Sequence, residues 1–188
     1  MLKPLARLIL KATGWTLVGA APRERKAVII AAPHTSNWDG FYLIVAKIAL
    51  GVRLRFFAKH TLFWWPLGPL LSAMGAIPVE RSRSGANVDK LVRLFGESDE
   101  LLLALAPEGT RRWRPYWRSG FWRIATAARV PLILAFIDYD GKRLGIGPQL
   151  DTGDGLEPTM DRIREFYAGC GAAKPANMGP IELKPATD

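Results

Sequence analysis

The sequence predicts an α/β fold: one domain with a mixed, mainly parallel sheet flanked by helices, and an N-terminal amphipathic helix before it. Three observations carry this. From residue 26 onward, short apolar runs alternate with helix-length segments, the pattern of a parallel sheet built from strand–helix–strand units. Two of the runs, AVIIAA at 27–32 and LLLALA at 101–106, are apolar throughout, as strands buried inside a sheet are. Asp140-Gly141, between FIDY and KRLGIG, is a hairpin signal that makes one edge antiparallel. The 188 residues suffice for one domain with a continuous core, divided as 1–22 for the N-terminal helix, 23–170 for the main domain and 171–188 for a loose C-terminal tail rich in Pro, Ala and Lys.

The elements follow in order. In the N-terminal stretch Lys3, Arg7 and Lys11 recur every four residues and share one helical face, while Leu2, Leu5, Leu8, Ile9 and Trp15 cover much of the rest. This is the pattern of a basic amphipathic helix lying in a membrane interface, and equally that of a helix packed on the domain with three solvated cations. Ala27–Ala32 reads as a strand, Trp38–Leu50 as a helix and Leu54–Ala58 as a strand. The segment from Thr61 to Met74 is rich in Trp and Leu; it suits core packing or a lipid-facing surface with Trp64 and Trp65 near the headgroups. Ile77–Val79 is a short strand, Ala86–Phe95 a helix, Leu101–Ala106 a strand, Gly120–Ala128 a helix, Leu132–Ile137 a strand and Pro158–Tyr167 a helix. No uncharged run reaches the roughly 20 residues a membrane-spanning helix needs.

A net charge of +9 implies an anionic partner: nucleic acid, an acidic membrane surface or phosphorylated substrates. Cys170 is the single cysteine, so an intrachain disulfide is excluded and a reducing compartment suits the chain.

Three constellations carry chemistry. His34 follows the strand AVIIAA, at the strand end where α/β folds place ligands, and Asp39 lies five residues on. Across a strand-to-helix turn the carboxylate can fix the imidazole tautomer and raise its basicity. The alternative is a helix start, with Ser36-x-x-Asp39 as a capping box. Pro107-Glu108-Gly109-Thr110-Arg111 follows the strand LLLALA in the same way; Gly109 permits close backbone approach, Thr110 offers a hydroxyl and Arg111 can grip a phosphate bidentately. Unaided, this segment also reads as a surface turn. Arg81 ends the short strand in GAIPVER and is either a second phosphate ligand or the first residue of a loop. The stretch 111–123 interleaves arginines with aromatics, which fits bases and phosphates of a nucleic acid, or the headgroup and nucleotide phosphates of lipid and acyl carrier.

The order and spacing of these blocks resemble the lysophosphatidic-acid acyltransferase (1-acylglycerol-3-phosphate O-acyltransferase) family of glycerolipid acyltransferases. His34 to Asp39 matches its H-x4-D motif, GAIPVER its second block, PEGTR its third and Val130-Pro131-Leu132-Ile133 its fourth, over roughly residues 25–150. Lys59 falls where the family often has a lysine before its second block. Pro78 and Ala135 depart from the pattern, the latter standing where a second proline is common.

The resemblance implies acyl transfer in phospholipid biosynthesis, with His34 as general base and Asp39 as its orienting partner. Arg81, Glu108, Gly109, Thr110, Arg111 and Lys59 are then the substrate-binding residues. It also implies acyl-CoA or acyl-ACP (acyl carrier protein) as co-substrate, with no cofactor and no metal. The expected partners are a lysophospholipid acceptor, such as lysophosphatidic acid or an aminolipid, the acyl donor and an anionic membrane surface, not nucleic acid. The expected location is peripheral, on the cytoplasmic face of the cell membrane. The sequence contains no G-x-S-x-G elbow, and Cys170 has no nearby histidine, so direct attack without an acyl-enzyme is expected.

Overall fold

Strand β2 (Lys26–Ala32) occupies the middle of the molecule because it is apolar on both sides. Val28 and Ile30 point to one face and Ala27 and Ile29 to the other, all four buried. Around it the computed structural model, which describes residues 2–79 and 86–184, builds a seven-stranded sheet. The other strands are β1 (Thr16–Val18), β3 (Leu54–Lys59), β4 (Ala76–Val79), β5 (Leu101–Leu105), β6 (Leu132–Asp138) and β7 (Arg143–Leu150). Their order is β1-β7-β6-β2-β5-β3-β4. Strands β2 to β6 run parallel, β7 is antiparallel to β6 as the Asp140-Gly141 turn predicts, and β1 is parallel to β7. The expected mixed, mainly parallel sheet flanked by helices is the observed architecture.

Helices cover both faces. Helices α4 (Ala86–Glu97), α5 (Gly120–Ala128) and α6 (Leu156–Tyr167) pack Phe95, Phe121, Ile124, Met160 and Ile163 onto Val28, Ile30, Leu103 and Leu132. Burying each such side chain stabilises the fold by about 1.5–3 kcal/mol. Tyr167 is also buried here, its hydroxyl 2.9 Å from the carbonyl oxygens of Ile30 and Ala135. That junction lies where the β6–β7 register shifts, between Ile133 and Ala135. On the opposite face α2 (Asn37–Leu50) packs Val45, Ala46 and Ala49 with Ile137 of β6 and Leu144 of β7, and α1 (Leu2–Ala12) packs against α2 through Ala6, Ile9 and Leu10. The Trp- and Leu-rich segment becomes a 3-10 turn (His60–Leu62) and the short helix α3 (Leu67–Ala73).

Three points differ from the sequence reading. The strand β1 was not anticipated; at three residues it is too short to show a period, and its Thr16, Leu17 and Val18 pair with Arg143, Leu144 and Gly145 of β7, so that β1 and not β7 forms the edge. The tail from 171, expected to be loose, is tied to the body as far as residue 184. Lys174 N–H donates to Thr35 Oγ1 (3.2 Å), Trp117 N–H to Glu182 O (2.7 Å), and Ile181 and Leu183 pack on the core. Apolar residues spaced singly among Pro and Gly gave no periodic signal. The third point concerns α1, whose docking on the domain does not use all of its apolar residues. Ala6, Leu10 and the following Trp15 are buried, so the helix is docked; yet Leu2, Leu5 and Leu8 are 65%, 53% and 61% exposed. Of the cations, Lys3 sets its ammonium beside Gly51, at the C-terminal end of α2, where a positive charge is favoured by the helix dipole. No helix among the described residues is long and apolar enough to cross a membrane.

Candidate active site

The parallel strands bring their C-terminal ends to one edge of the sheet, and the chemistry collects there. His34 follows β2, Lys59 ends β3, Glu108 to Arg111 follow β5 and Tyr139 follows β6. Because β2 lies between β5 and β6, the loops after those two strands are the ones that reach His34 and Asp39. Arg81, which follows β4, lies outside the described residues.

Asp39 is the third residue of α2, and its buried carboxylate organises the turn. Its Oδ2 accepts hydrogen bonds from Thr35 N–H and Ser36 N–H, both at 2.7 Å, while Oδ1 accepts from the Tyr139 hydroxyl at 2.8 Å. Ser36 Oγ in turn accepts from Trp38 N–H at 3.3 Å, the reciprocal half of a capping box. His34 Nδ1 faces the same Oδ2 at 3.4 Å, longer than a tight hydrogen bond. The helix-cap and the imidazole-orienting readings of Asp39 are therefore one arrangement. Burial alone would raise the Asp39 pKa. The His34 ring, Ser36 N–H and the Tyr139 hydroxyl outweigh it and hold the carboxyl below its ordinary value, so it stays ionised. The same contact, added to burial, pushes the Tyr139 phenol far up and keeps it a donor.

Glu108 departs from its expected place beside a phosphate. Pro107 and Gly109 line the open cavity, but the carboxyl between them turns inward, where Oε1 accepts from His34 N–H at 3.0 Å. Its Oε2 is buried without a partner among the described residues. The residue as a whole is half-buried, but its carboxyl end is enclosed. Burial pushes its pKa up against the hydrogen bonds from its own N–H and from His34 N–H. An inward carboxylate repels rather than grips a phosphate; what it fixes is the backbone of His34. Gly109 turns the chain at φ +65°, where a Cβ would collide with the Arg118 side chain. Thr110 and Arg111 line the cavity, and Arg111 is exposed, as is Lys59 at the far side. Among the described residues, no carboxylate pairs with Arg111, Arg112 or Arg114.

The cavity over this edge measures about 1410 Å³. One wall carries His34, Thr110 and the arginines. The other runs beneath α2 and is apolar, with Leu43, Ile44, Leu50, Val52 and Phe56. Cys170 lies elsewhere, half-buried; burial and the Asp138 charge push its thiol up to about 11, so little thiolate exists at neutral pH. No motif or local pattern marks Tyr139. Its signal is topological: once β6 is known to neighbour β2, the residue after β6 must sit beside the turn after β2.

A family model described as Acyltransferase matches residues 16–137. No curated protein gives a significant match. Among solved structures, the fold is similar to the crystal structure of PlsC, the 1-acyl-sn-glycerophosphate (LPA) acyltransferase from Thermotoga maritima. The TM-score is 0.60 at 17% identity, covering 88% of this chain and 74% of that one.

The buried Glu108 carboxyl yields a test with a definite sign. A carboxyl whose pKa rises on folding contributes stability that is complete below its unfolded value and lost as pH rises through its folded value. Glu108→Gln keeps an oxygen for His34 N–H but cannot ionise. Its melting temperature, compared with that of the native protein, should therefore improve as pH rises above the ordinary carboxyl value of 4.5. A constant difference as pH rises would show that folding does not raise the Glu108 pKa.

Proposed function

From the premise that this chain belongs to the acyltransferase family, we propose that it transfers a fatty acyl group from acyl-CoA or acyl-ACP to the hydroxyl of a lysophospholipid such as lysophosphatidic acid. The observation that carries this reading is the His34–Asp39 pair at the mouth of a cavity with one cationic and one apolar wall. In the proposed reaction Asp39 holds the proton on Nδ1 of His34, leaving Nε2 free to accept. The acceptor hydroxyl gives its proton to Nε2 as its oxygen attacks the thioester carbonyl. The tetrahedral intermediate collapses with cleavage of the C–S bond, and the thiolate leaves as the free thiol after taking that proton. The unpaired Arg111, with Lys59 across the cavity, suits a phosphate on the acceptor or donor. The apolar wall beneath α2 suits an acyl chain. Arg81, from its sequence position after β4, is a further candidate for the phosphate.

We place the protein at a membrane surface on the cytoplasmic side, as a peripheral enzyme. The exposed Leu2, Leu5 and Leu8 on α1, and Trp64 and Trp65 at 58% and 83% exposure, support this reading. Because α1 also supplies buried residues to the core, its removal would damage the fold. The outward leucines are the informative positions.

Three outcomes are expected. His34→Ala should lower turnover by a general-base factor of about 10²–10⁴ without lowering the melting temperature. Purified protein, mixed lysolipids, both donor types and mass-spectrometric detection provide the assay, and native turnover in folded His34→Ala would remove His34 from the chemistry.

Arg111→Ala should impair phosphorylated acceptors far more than a monoacylglycerol, and Arg111→Lys should restore only part of the loss because an ammonium lacks the planar fork. Equal losses on charged and neutral acceptors would assign Arg111 to the donor or the fold.

The double variant Leu5→Ser, Leu8→Ser should keep its fold and its activity on a soluble short-chain acceptor while losing flotation with anionic vesicles. Each leucine withdrawn from the bilayer forfeits up to about 1.5–3 kcal/mol. Unchanged flotation would shift the contact to Trp64 and Trp65.

A further inference from the structure

Resting on the reading of His34 and Asp39 as the proton-transfer pair, we propose that Tyr139 is a positioning residue for that pair, held in register by Trp15 from the N-terminal segment. The buried Asp39 carboxylate has one oxygen occupied by two backbone N–H groups and facing His34, and the other held only by the Tyr139 hydroxyl at 2.8 Å. Without that bond Oδ1 has no donor among the described residues, and only the Thr35 and Ser36 N–H groups on Oδ2 are left to resist rotation of the carboxylate about its Cβ–Cγ bond. Rotation moves Oδ2, which already lies 3.4 Å from Nδ1, so the imidazole loses the group that fixes its tautomer and aims Nε2.

The phenol is fixed at both ends. Tyr139 N–H donates to Gly171 O at 2.9 Å. The preceding Asp138, almost fully buried, ties the same corner through Gly141 N–H, Gly171 N–H and Arg143. The Tyr139 ring stands edge-on to buried Trp15, centroids 5.0 Å apart and planes at 87°. Trp15 in turn packs on Tyr42 of α2 at 4.5 Å, one helical turn beyond Asp39. A chain of aromatic contacts thus joins the end of α1 to the carboxylate beside His34. Burial and the Asp39 contact keep the hydroxyl protonated, consistent with a permanent donor.

Tyr139→Phe keeps the ring against Trp15 and deletes only the hydroxyl, which separates positioning from packing. A hydrogen bond to a charged group is strong enough that kcat should fall by roughly tenfold to a hundredfold, with KM within about twofold and the fold retained at a somewhat lower melting temperature, because Asp39 loses a donor. In the Asp39→Asn background, Tyr139→Phe should cause little further loss, because both changes act on one carboxylate. Native kcat in Tyr139→Phe, a loss carried by KM, or a full further loss on top of Asp39→Asn would overturn the proposal. If Asp39→Asn itself leaves turnover at the native level, the proton-transfer reading fails first, and the two failures are told apart.

Discussion

The turn between β2 and α2 depends on a single requirement: the carboxylate of Asp39, buried at the start of a helix, must be kept charged. A carboxylate in that place costs several kcal/mol unless its lone pairs are met by donors. The chain meets them with the N–H groups of Thr35 and Ser36, the hydroxyl of Tyr139 and the facing ring of His34. Two of those donors are backbone groups at a helix N-terminus, where they would otherwise lack partners. One arrangement therefore starts α2, curves the chain so that residue 34 comes back over residue 39, and sets the ring of His34 against a fixed anion.

What gathers the remaining groups is the parallel sense of β2 to β6. Strands sharing a direction deliver their following loops to one edge, and strand order decides which loops are neighbours. With β5 on one side of β2 and β6 on the other, Glu108 reaches the backbone of His34 and Tyr139 reaches Asp39. The two acidic groups are then shifted in opposite directions by their surroundings. Several donors keep Asp39 ionised, whereas Glu108, with a single outside donor and an enclosed oxygen, is pushed toward its neutral form.

The strands β2, β5 and β6 were legible because burial on both faces leaves runs of apolar residues, and the β6–β7 hairpin because Asp140-Gly141 announces it. His34 and Asp39 were legible as a pair, but the choice between a helix cap and an orienting carboxylate was not, since both need the same residues at the same spacing. The inward turn of Glu108 was hidden for a different reason. Sequence places a residue at a strand end but does not say to which side its carboxyl points, and here Gly109 bends the chain at a left-handed φ just after it. Tyr139 and the packed tail are products of long-range contact, 100 and 139 residues apart along the chain for the Tyr139–Asp39 and Lys174–Thr35 bonds. No local period encodes such pairs.

The N-terminal helix turns two different apolar faces, one inward and one outward, without conflict. Ala6 and Leu10 lie on the side facing α2, and Leu2, Leu5 and Leu8 on the side facing out, so the residues that dock the helix are not those left exposed. Docking is reinforced where the helix ends, by Trp15 against Tyr42 and Tyr139 and by β1 pairing with β7. A bilayer meeting the outward leucines would therefore press on a part of the domain already braced against the turn that holds His34 and Asp39. Rigid bracing favours a pair whose geometry is the same at the membrane and in solution. Loss of surface binding alone should then leave the chemistry at His34 intact, since Leu5 and Leu8 contribute nothing to the contacts that hold Tyr139.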